Sequence, residues 1–367
     1  MTSKRILCLT TGGTIVGDGT PGRRGKAQKK LDGELLKPSF ERARAHIQKT
    51  WRLDVVTHPQ FVEGGDSSHI TPSLWTDLAN AIQASYDDYD AFLVTHGTNT
   101  MGYTAAALSF AIANSYKPIV ITGSQIPIDA PSSDALANIE NAVRVCVFPH
   151  ERIGGVVCLF GGHLITGPRV KKSSDFDIDA FGAAPTGRLA RLGRSLEIDE
   201  ANLARHRRKL SSRNEDMTAR DLRVRPRFDL SRVLSLTEFP GLDAGVLLKM
   251  VDAACEDGPL KGVILRAFGS GDVGRDRIPL LKRLRELDVP VVVTTQVPNG
   301  RATMDVNKPG QQVFEAGLAV PMGDMSIEAM TTKLGWLIAR GDSCSKVRKE
   351  MARNLRGEIA DAAEPTW

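Results

Sequence analysis

No apolar run in this 367-residue chain approaches the ~20 residues that a membrane span needs. The N-terminus, Met1-Thr2-Ser3-Lys4-Arg5, leads directly into a strand-like run, with no apolar signal region before it. A cytoplasmic protein with no membrane partner is therefore expected. Cysteine is scarce: Cys8, Cys146, Cys158, Cys255 and Cys344 are odd in number and far apart. There is no CxxC pair and no Cys/His spacing of the kind that holds zinc, so no metal site is expected. Cys8, Cys146 and Cys158 lie in apolar runs and read as small buried hydrophobes. An excess of one charge is also missing. Lys and Arg number 48 against 43 Asp and Glu, and both signs are mixed along most of the chain. The resulting +5 gives no argument for a nucleic-acid or membrane partner. No internal repeat of fixed period is present. A hydrophobic content of 41% over this length is ample for two buried cores.

What the chain does have is an alternation of apolar strand-like runs with amphipathic helical stretches. Strands are expected at Leu53–Thr57, Ala91–Thr95, Pro118–Thr122 and Gly155–Phe160, and helices at Pro72–Ser85, Met101–Asn114 and Ser133–Cys146. Thr71 followed by Pro72 is a helix start. This pattern predicts an α/β fold with a parallel, doubly wound sheet in a larger N-terminal domain, residues 1–190. Residues 191–229 are strongly basic, with Arg205-His206-Arg207-Arg208-Lys209 and Arg223-Val224-Arg225-Pro226-Arg227. No aromatic residue is interleaved before Phe228, so base stacking is unsupported and the stretch reads as a solvated linker containing a short helix. Beyond it, strands at Val233–Leu236, Gly262–Arg266 and Val289–Thr294 alternate with helices near 243–255, 276–286 and 326–339. They predict a smaller α/β domain, residues 230–367.

The chemistry is expected at strand ends of the first domain. Ile6-Leu7-Cys8-Leu9-Thr10 reads as a buried strand that runs into Thr11-Gly12-Gly13-Thr14. Glycines admit positive φ and a close backbone approach, which makes Thr14 a candidate nucleophile on a rigid strand tip. The competing reading of this stretch alone is a turn with solvated threonines. Three further stretches supply polar groups: Gly65-Asp66-Ser67-Ser68, Thr95-His96-Gly97-Thr98-Asn99-Thr100 and Gly167-Pro168-Arg169-Val170-Lys171-Lys172-Ser173. A strand that ends in hydroxyls and enters a helix directs N–H groups and positive dipole at that point. Ser67 and the turn at 97–100 therefore suit a carboxylate and an oxyanion. A threonine hydroxyl needs a base, and Thr98 beside a desolvated Lys172 would make such a pair. Between Val16 and Arg42, glycines interleave with basic residues in a stretch that suits a lid or a solvated loop.

These four stretches, in this order, resemble the bacterial L-asparaginases, most closely the cytosolic type I branch. The resemblance runs from Lys4 to about Arg340. It includes Asp66-Ser67-Ser68-His69-Ile70-Thr71-Pro72, Val120-Ile121-Thr122-Gly123-Ser124-Gln125-Ile126-Pro127 and Ser326-Ile327-Glu328-Ala329-Met330-Thr331-Thr332-Lys333-Leu334. It implies hydrolysis of a side-chain amide to acid and ammonia, without metal or cofactor. Thr14 matches the first catalytic threonine, Thr98 the second and Lys172 the proton acceptor. Ser67 and Ser68, with Gly13 and Gly97, match substrate-binding positions. Gly269-Ser270-Gly271-Asp272-Val273 resembles the segment that completes a partner subunit's site, and the family implies a homodimer or homotetramer.

The match has departures. The family motif is His-Gly-Thr-Asp, but position 99 is Asn99, which keeps a carbonyl acceptor and loses the charge that would meet a substrate ammonium. The lost charge-assisted bond amounts to roughly 1.5–3 kcal/mol, so a substrate with its α-amine blocked would suit Asn99 better. The lid tyrosine of the family has no counterpart, because no Tyr precedes Tyr86; Asp18, Lys29 and Lys30 are the titratable substitutes. No cysteine occurs in Gln296-Val297-Pro298-Asn299-Gly300, which argues against an asparagine effector site. Two alternatives remain: a weak or inactive relative that binds an amino-acid-like ligand or partner, and the amidotransferase relative that works on charged tRNA. The latter usually carries an extra N-terminal domain, whereas here the first strand begins near residue 4.

Overall fold

A computed structural model describes residues 3–16, 38–61, 65–148, 153–183, 185–210 and 222–360. Residues 17–37 of the candidate lid, with Asp18, Lys29 and Lys30, lie outside these residues, as do residues 211–221 of the basic stretch. The chain divides into two compact units, 1–226 and 227–367.

The first unit is built on eight strands: β1 (Arg5–Thr10), β2 (Asp54–Thr57), β3 (Ala91–Thr95), β4 (Pro118–Thr122), β5 (Gly155–Phe160), β6 (His163–Thr166), β7 (Arg188–Leu192) and β8 (Leu196–Ile198). Their order across the sheet is β8-β7-β6-β5-β4-β3-β1-β2. Neighbours from β5 to β2 pair in parallel. Every residue of β3, β4 and β5 is buried, as expected when helices cover both faces and the strands read as unbroken apolar runs.

The parallel sheet expected from sequence is present, and it is extended by an antiparallel edge. β5 to β8 pair antiparallel. Gly161 and Gly162, at φ 55° and 78°, make the two-residue turn that folds β6 back on β5. Helices α1 (Pro38–Trp51), α2 (Pro72–Ala84), α3 (Met101–Ala111), α4 (Ala135–Val147) and α5 (Glu200–Leu210) accompany the sheet. α3 is buried at every position but Tyr103 and has no polar face. α5 is the short helix expected in the basic stretch. It belongs to the first unit: Leu203 joins the core under β7, and Leu210 closes on Gly155. The unit thus continues past residue 190.

One topological detail positions the site. β1 lies between β2 and β3, so the connection leaving β1 runs to β2 on one side and the connection leaving β3 runs to β4 on the other. The crevice outside the carboxyl end of such a strand is where open α/β sheets bind ligands.

The second unit has a four-stranded parallel sheet in chain order, β9 (Val233–Thr237), β10 (Gly262–Ala267), β11 (Val291–Thr295) and β12 (Val320–Pro321). Helices α6 (Ala244–Glu256), α7 (Ile278–Glu286), α8 (Lys308–Glu315), α9 (Ile327–Ile338) and α10 (Cys344–Ala352) surround it. Asp243 caps α6 and Ser326 caps α9, each accepting the N–H three residues on. The last described residues are fastened by an ion pair from which water is excluded. Lys333 Nζ lies 2.6 Å from Glu358 Oε1, with both side chains fully buried. Burial alone would raise the Glu358 carboxyl, yet Lys333 and the N–H groups of Leu355 and Arg356 hold it below the usual range.

Replacing Lys333 by Met strands that carboxylate without its cation and should cost about 3–5 kcal/mol in denaturant unfolding. Pairing the change with Glu358→Leu should recover most of the loss.

Candidate active site

Glycine packing brings the stretches together. After β1, Thr11 donates through both its N–H and its hydroxyl to the Thr95 carbonyl, at 2.9 and 3.0 Å. Gly12 and Gly13 come next, with φ of 97° and 83°, and Gly13 N–H donates to the Gly65 carbonyl at 2.9 Å. A Cβ on Gly13 would sit 2.2 Å from Gly97 Cα. A Cβ on Gly97 would in turn meet Ser67 Cβ and Oγ at 2.7 Å. Backbone from three expected stretches therefore crosses at one point, where no side chain fits. Thr14 opens a short 3-10 turn beside this crossing and is half-buried.

Ser67 opens the turn Ser67–His69 and is only 3% exposed. Its carbonyl accepts from Thr100 Oγ1 at 2.8 Å. Asp66 caps the same turn by accepting the Ser68 N–H at 2.8 Å, and Ser68 beside it holds the Asp66 carboxyl below the usual range.

Lys172 reaches the site by another route. Gly167, at the start of the turn after β6, sits where a Cβ would strike Ser109 Oγ at 2.3 Å, so α3 presses directly on this turn. Behind it, Thr166 Oγ1 lies 2.9 Å from His206 Nδ1, while His206 Nε2 donates to the Gly154 carbonyl at 2.8 Å. Lys171 and Lys172 then pair antiparallel with Gly182 and Phe181. Phe181 is anchored against Phe160, with ring centroids 4.8 Å apart. The ammonium so delivered donates to Thr98 Oγ1 at 2.9 Å and to Asn99 Oδ1 at 3.1 Å. Burial pushes Lys172 below the usual lysine range, against an opposite pull from Asp175. A lysine held this way is closer to the neutral form that accepts a proton. Asn99 Nδ2 faces Ser68 Oγ at 3.4 Å.

Three residues with no expected role line the back of the site. His96 is fully buried, with Nδ1 2.7 Å from the Gly97 carbonyl and Nε2 2.8 Å from Thr104 Oγ1. A carbonyl only accepts, so Nδ1 carries the proton and Nε2 accepts from Thr104. Trp75 Nε1 donates to that same hydroxyl at 3.0 Å. The relay pins the Gly97 carbonyl toward the core. In a trans peptide the N–H points the opposite way, so the Thr98 N–H faces away from His96. His96 could be suspected from its place between an apolar strand and a glycine. Nothing in the sequence links it to Trp75 and Thr104. Among the described residues no three His, Cys, Asp or Glu side chains cluster as a metal-binding set, and no helix is long and apolar enough to cross a membrane.

Known proteins resemble this chain over both of its units. The family model described as "Asparaginase, N-terminal" matches residues 5–204, and that described as "Glutaminase/Asparaginase C-terminal domain" matches residues 232–351. The chain is 32% identical to L-asparaginase 1 of Escherichia coli over 366 residues, spanning 98% of this chain and 99% of that protein. It is 35% identical to one component of the glutamyl-tRNA(Gln) amidotransferase of Aeropyrum pernix over 306 residues, 80% of this chain and 67% of that one. The crystal structure of L-asparaginase I from Vibrio cholerae superposes with a TM-score of 0.78 at 30% identity, covering 98% and 100% of the two chains.

Burial lowers His96 to a pKa of about 4 from 6.5. The unfolded chain therefore binds a proton between these values that the folded chain refuses. Stability from this group is full above pH 6.5 and erodes toward pH 4, by roughly 3 kcal/mol in all. Denaturant unfolding across this window should show that slope, and His96→Gln should flatten it.

Proposed function

Because this chain belongs to the asparaginase family, we propose that it hydrolyses the side-chain amide of asparagine or of a close derivative to the acid and ammonia. The observation that supports this most directly is the 2.9 Å contact of Lys172 Nζ with Thr98 Oγ1, made by a lysine whose burial favours its basic form. In this reading Thr14 Oγ attacks the amide carbon while the Thr98–Lys172 pair carries the proton. The developing oxyanion is met by backbone N–H, with that of Thr98 turned outward by the His96 relay. The carbon–nitrogen bond breaks, the proton passes to the departing nitrogen, and ammonia leaves. Water then cleaves the acyl-threonine and restores the Thr14 hydroxyl. Ser67 and the turn N–H groups hold the substrate carboxylate, with Gly13 and Gly97 letting it approach the backbone. A cytosolic location and a homodimer or homotetramer, in which Gly269–Val273 completes a partner's site, belong to the same proposal and rest on the family likeness.

Lys172→Met and Thr98→Val should each lower ammonia release from amide substrates by about 10²–10⁴-fold, with the fold retained by circular dichroism. In the wild type, kcat/KM should rise with pH up to the lowered Lys172 pKa and then level off, because the neutral amine is the active form. Undiminished turnover in both variants would remove the basis of this assignment.

A further inference from the structure

The loss of a charge at position 99 can be read from the sequence. The direction in which Asn99 presents its donors cannot, and the structure supplies it. Lys172 Nζ touches Asn99 Oδ1 at 3.1 Å. An ammonium has donors only, so the Asn99 atom facing it is an acceptor. If Lys172 is neutral, its one lone pair lies on the Thr98 hydroxyl that it deprotonates, and an N–H still faces Asn99. In both states the carbonyl oxygen of Asn99 is fixed toward the lysine. Its amide N–H₂ is then fixed toward Ser68, 3.4 Å away, on the exposed rim of the site.

The polarity of that rim is a direct consequence. One of the two Asn99 hydrogens points at Ser68 Oγ along a long contact, which leaves the other for a ligand. Ser68, accepting from Asn99, turns its own hydroxyl proton toward the Asp66 carboxyl that it holds below the usual range. The nearby Asp66 carboxylate is bent back onto the Ser68 N–H at 2.8 Å. At position 99 the substrate is thus met by a hydrogen-bond donor. A free α-ammonium, itself three donors and no acceptor, meets like polarity at Asn99 Nδ2. A carbonyl oxygen in the same place accepts from Asn99.

We infer that the substrate carries an acylamino group in place of the free ammonium, so that its acyl carbonyl accepts from Asn99 Nδ2. The inference rests on the proposed amide-cleaving role of Thr14, Thr98 and Lys172 and goes further in naming the substrate class. Asn99 is on this account specificity-determining, and its selectivity depends on the lysine that orients it.

The test uses full-length protein with L-asparagine and N-acetyl-L-asparagine, read as ammonia release and as a shift in Tm. Wild-type kcat/KM should favour N-acetyl-L-asparagine by about tenfold or more. Asn99→Asp, which offers only acceptors, should reverse the order. Thr14→Val keeps Lys172 and Asn99, and should still be stabilised more by the acetylated compound. Ammonia released faster from free L-asparagine, or a ratio unmoved by Asn99→Asp, overturns the inference and leaves the hydrolase reading standing. Selective stabilisation of Thr14→Val by N-acetyl-L-asparagine, without ammonia from either compound in the wild type, overturns the hydrolase reading and supports the polarity assigned to Asn99. Neither turnover nor stabilisation with either compound overturns both.

Discussion

The site depends on a crossing in which Gly13 packs backbone on backbone against Gly97, and Gly97 lies against the Ser67 side chain, so that neither glycine has room for a Cβ. Such contact is rigid, because main chain cannot swing aside as a long side chain can. It links the end of β1 to the end of β3 at the point where connections diverge across the sheet. Thr14 lies on one arm of the crossing and Thr98 on the other. Their relative placement is thereby fixed by main-chain geometry.

Around that rigid point the polar groups fall into two layers. The inner layer, Trp75–Thr104–His96–Gly97, is dry and neutral and holds one peptide in a single orientation. The outer layer, Lys172–Thr98–Asn99–Ser68, is partly open and in the proposed reaction carries the proton. Neutrality inside matters to charge outside. A protonated imidazole below the Gly97–Thr98 peptide would disfavour the neighbouring ammonium, and burial keeps His96 neutral well below physiological pH.

Much of this is legible in the residues. β3, β4 and β5 are short, unbroken apolar runs, and a strand covered on both faces reads that way. The candidate site residues Gly13, Ser67, Ser68, Gly97, Thr98, Asn99 and Lys172 stand in strand-end or loop positions and come together. The antiparallel half of the sheet is less legible, since β7, Arg188–Leu192, carries two arginines and resembles the basic stretch after it. α1 is hidden because glycines and lysines precede it. Gly161-Gly162 marks a reversal of the chain, but a glycine pair does not say whether a strand or a helix comes after it. The Trp75–Thr104–His96 relay is out of reach, because its members lie on two helices and a strand end and meet only through packing. The side-chain rotation of Asn99 is of the same kind: it is set by a neighbour 73 residues away in the chain.

Thr98 and Lys172 are 74 residues apart in sequence. The lysine arrives on the hairpin ribbon that leaves the sheet after β6, while the threonine belongs to the end of its third strand. During synthesis from the N-terminus, β1, β3, β4 and β5 are all made before Lys172 exists. Contacts of such long range carry a loop-closure cost and form late. A growing chain that has already built its glycine crossing therefore still lacks Lys172. On the proposed mechanism, competence is deferred until the antiparallel edge has closed, because the Thr98–Lys172 contact cannot be assembled on an unfinished sheet.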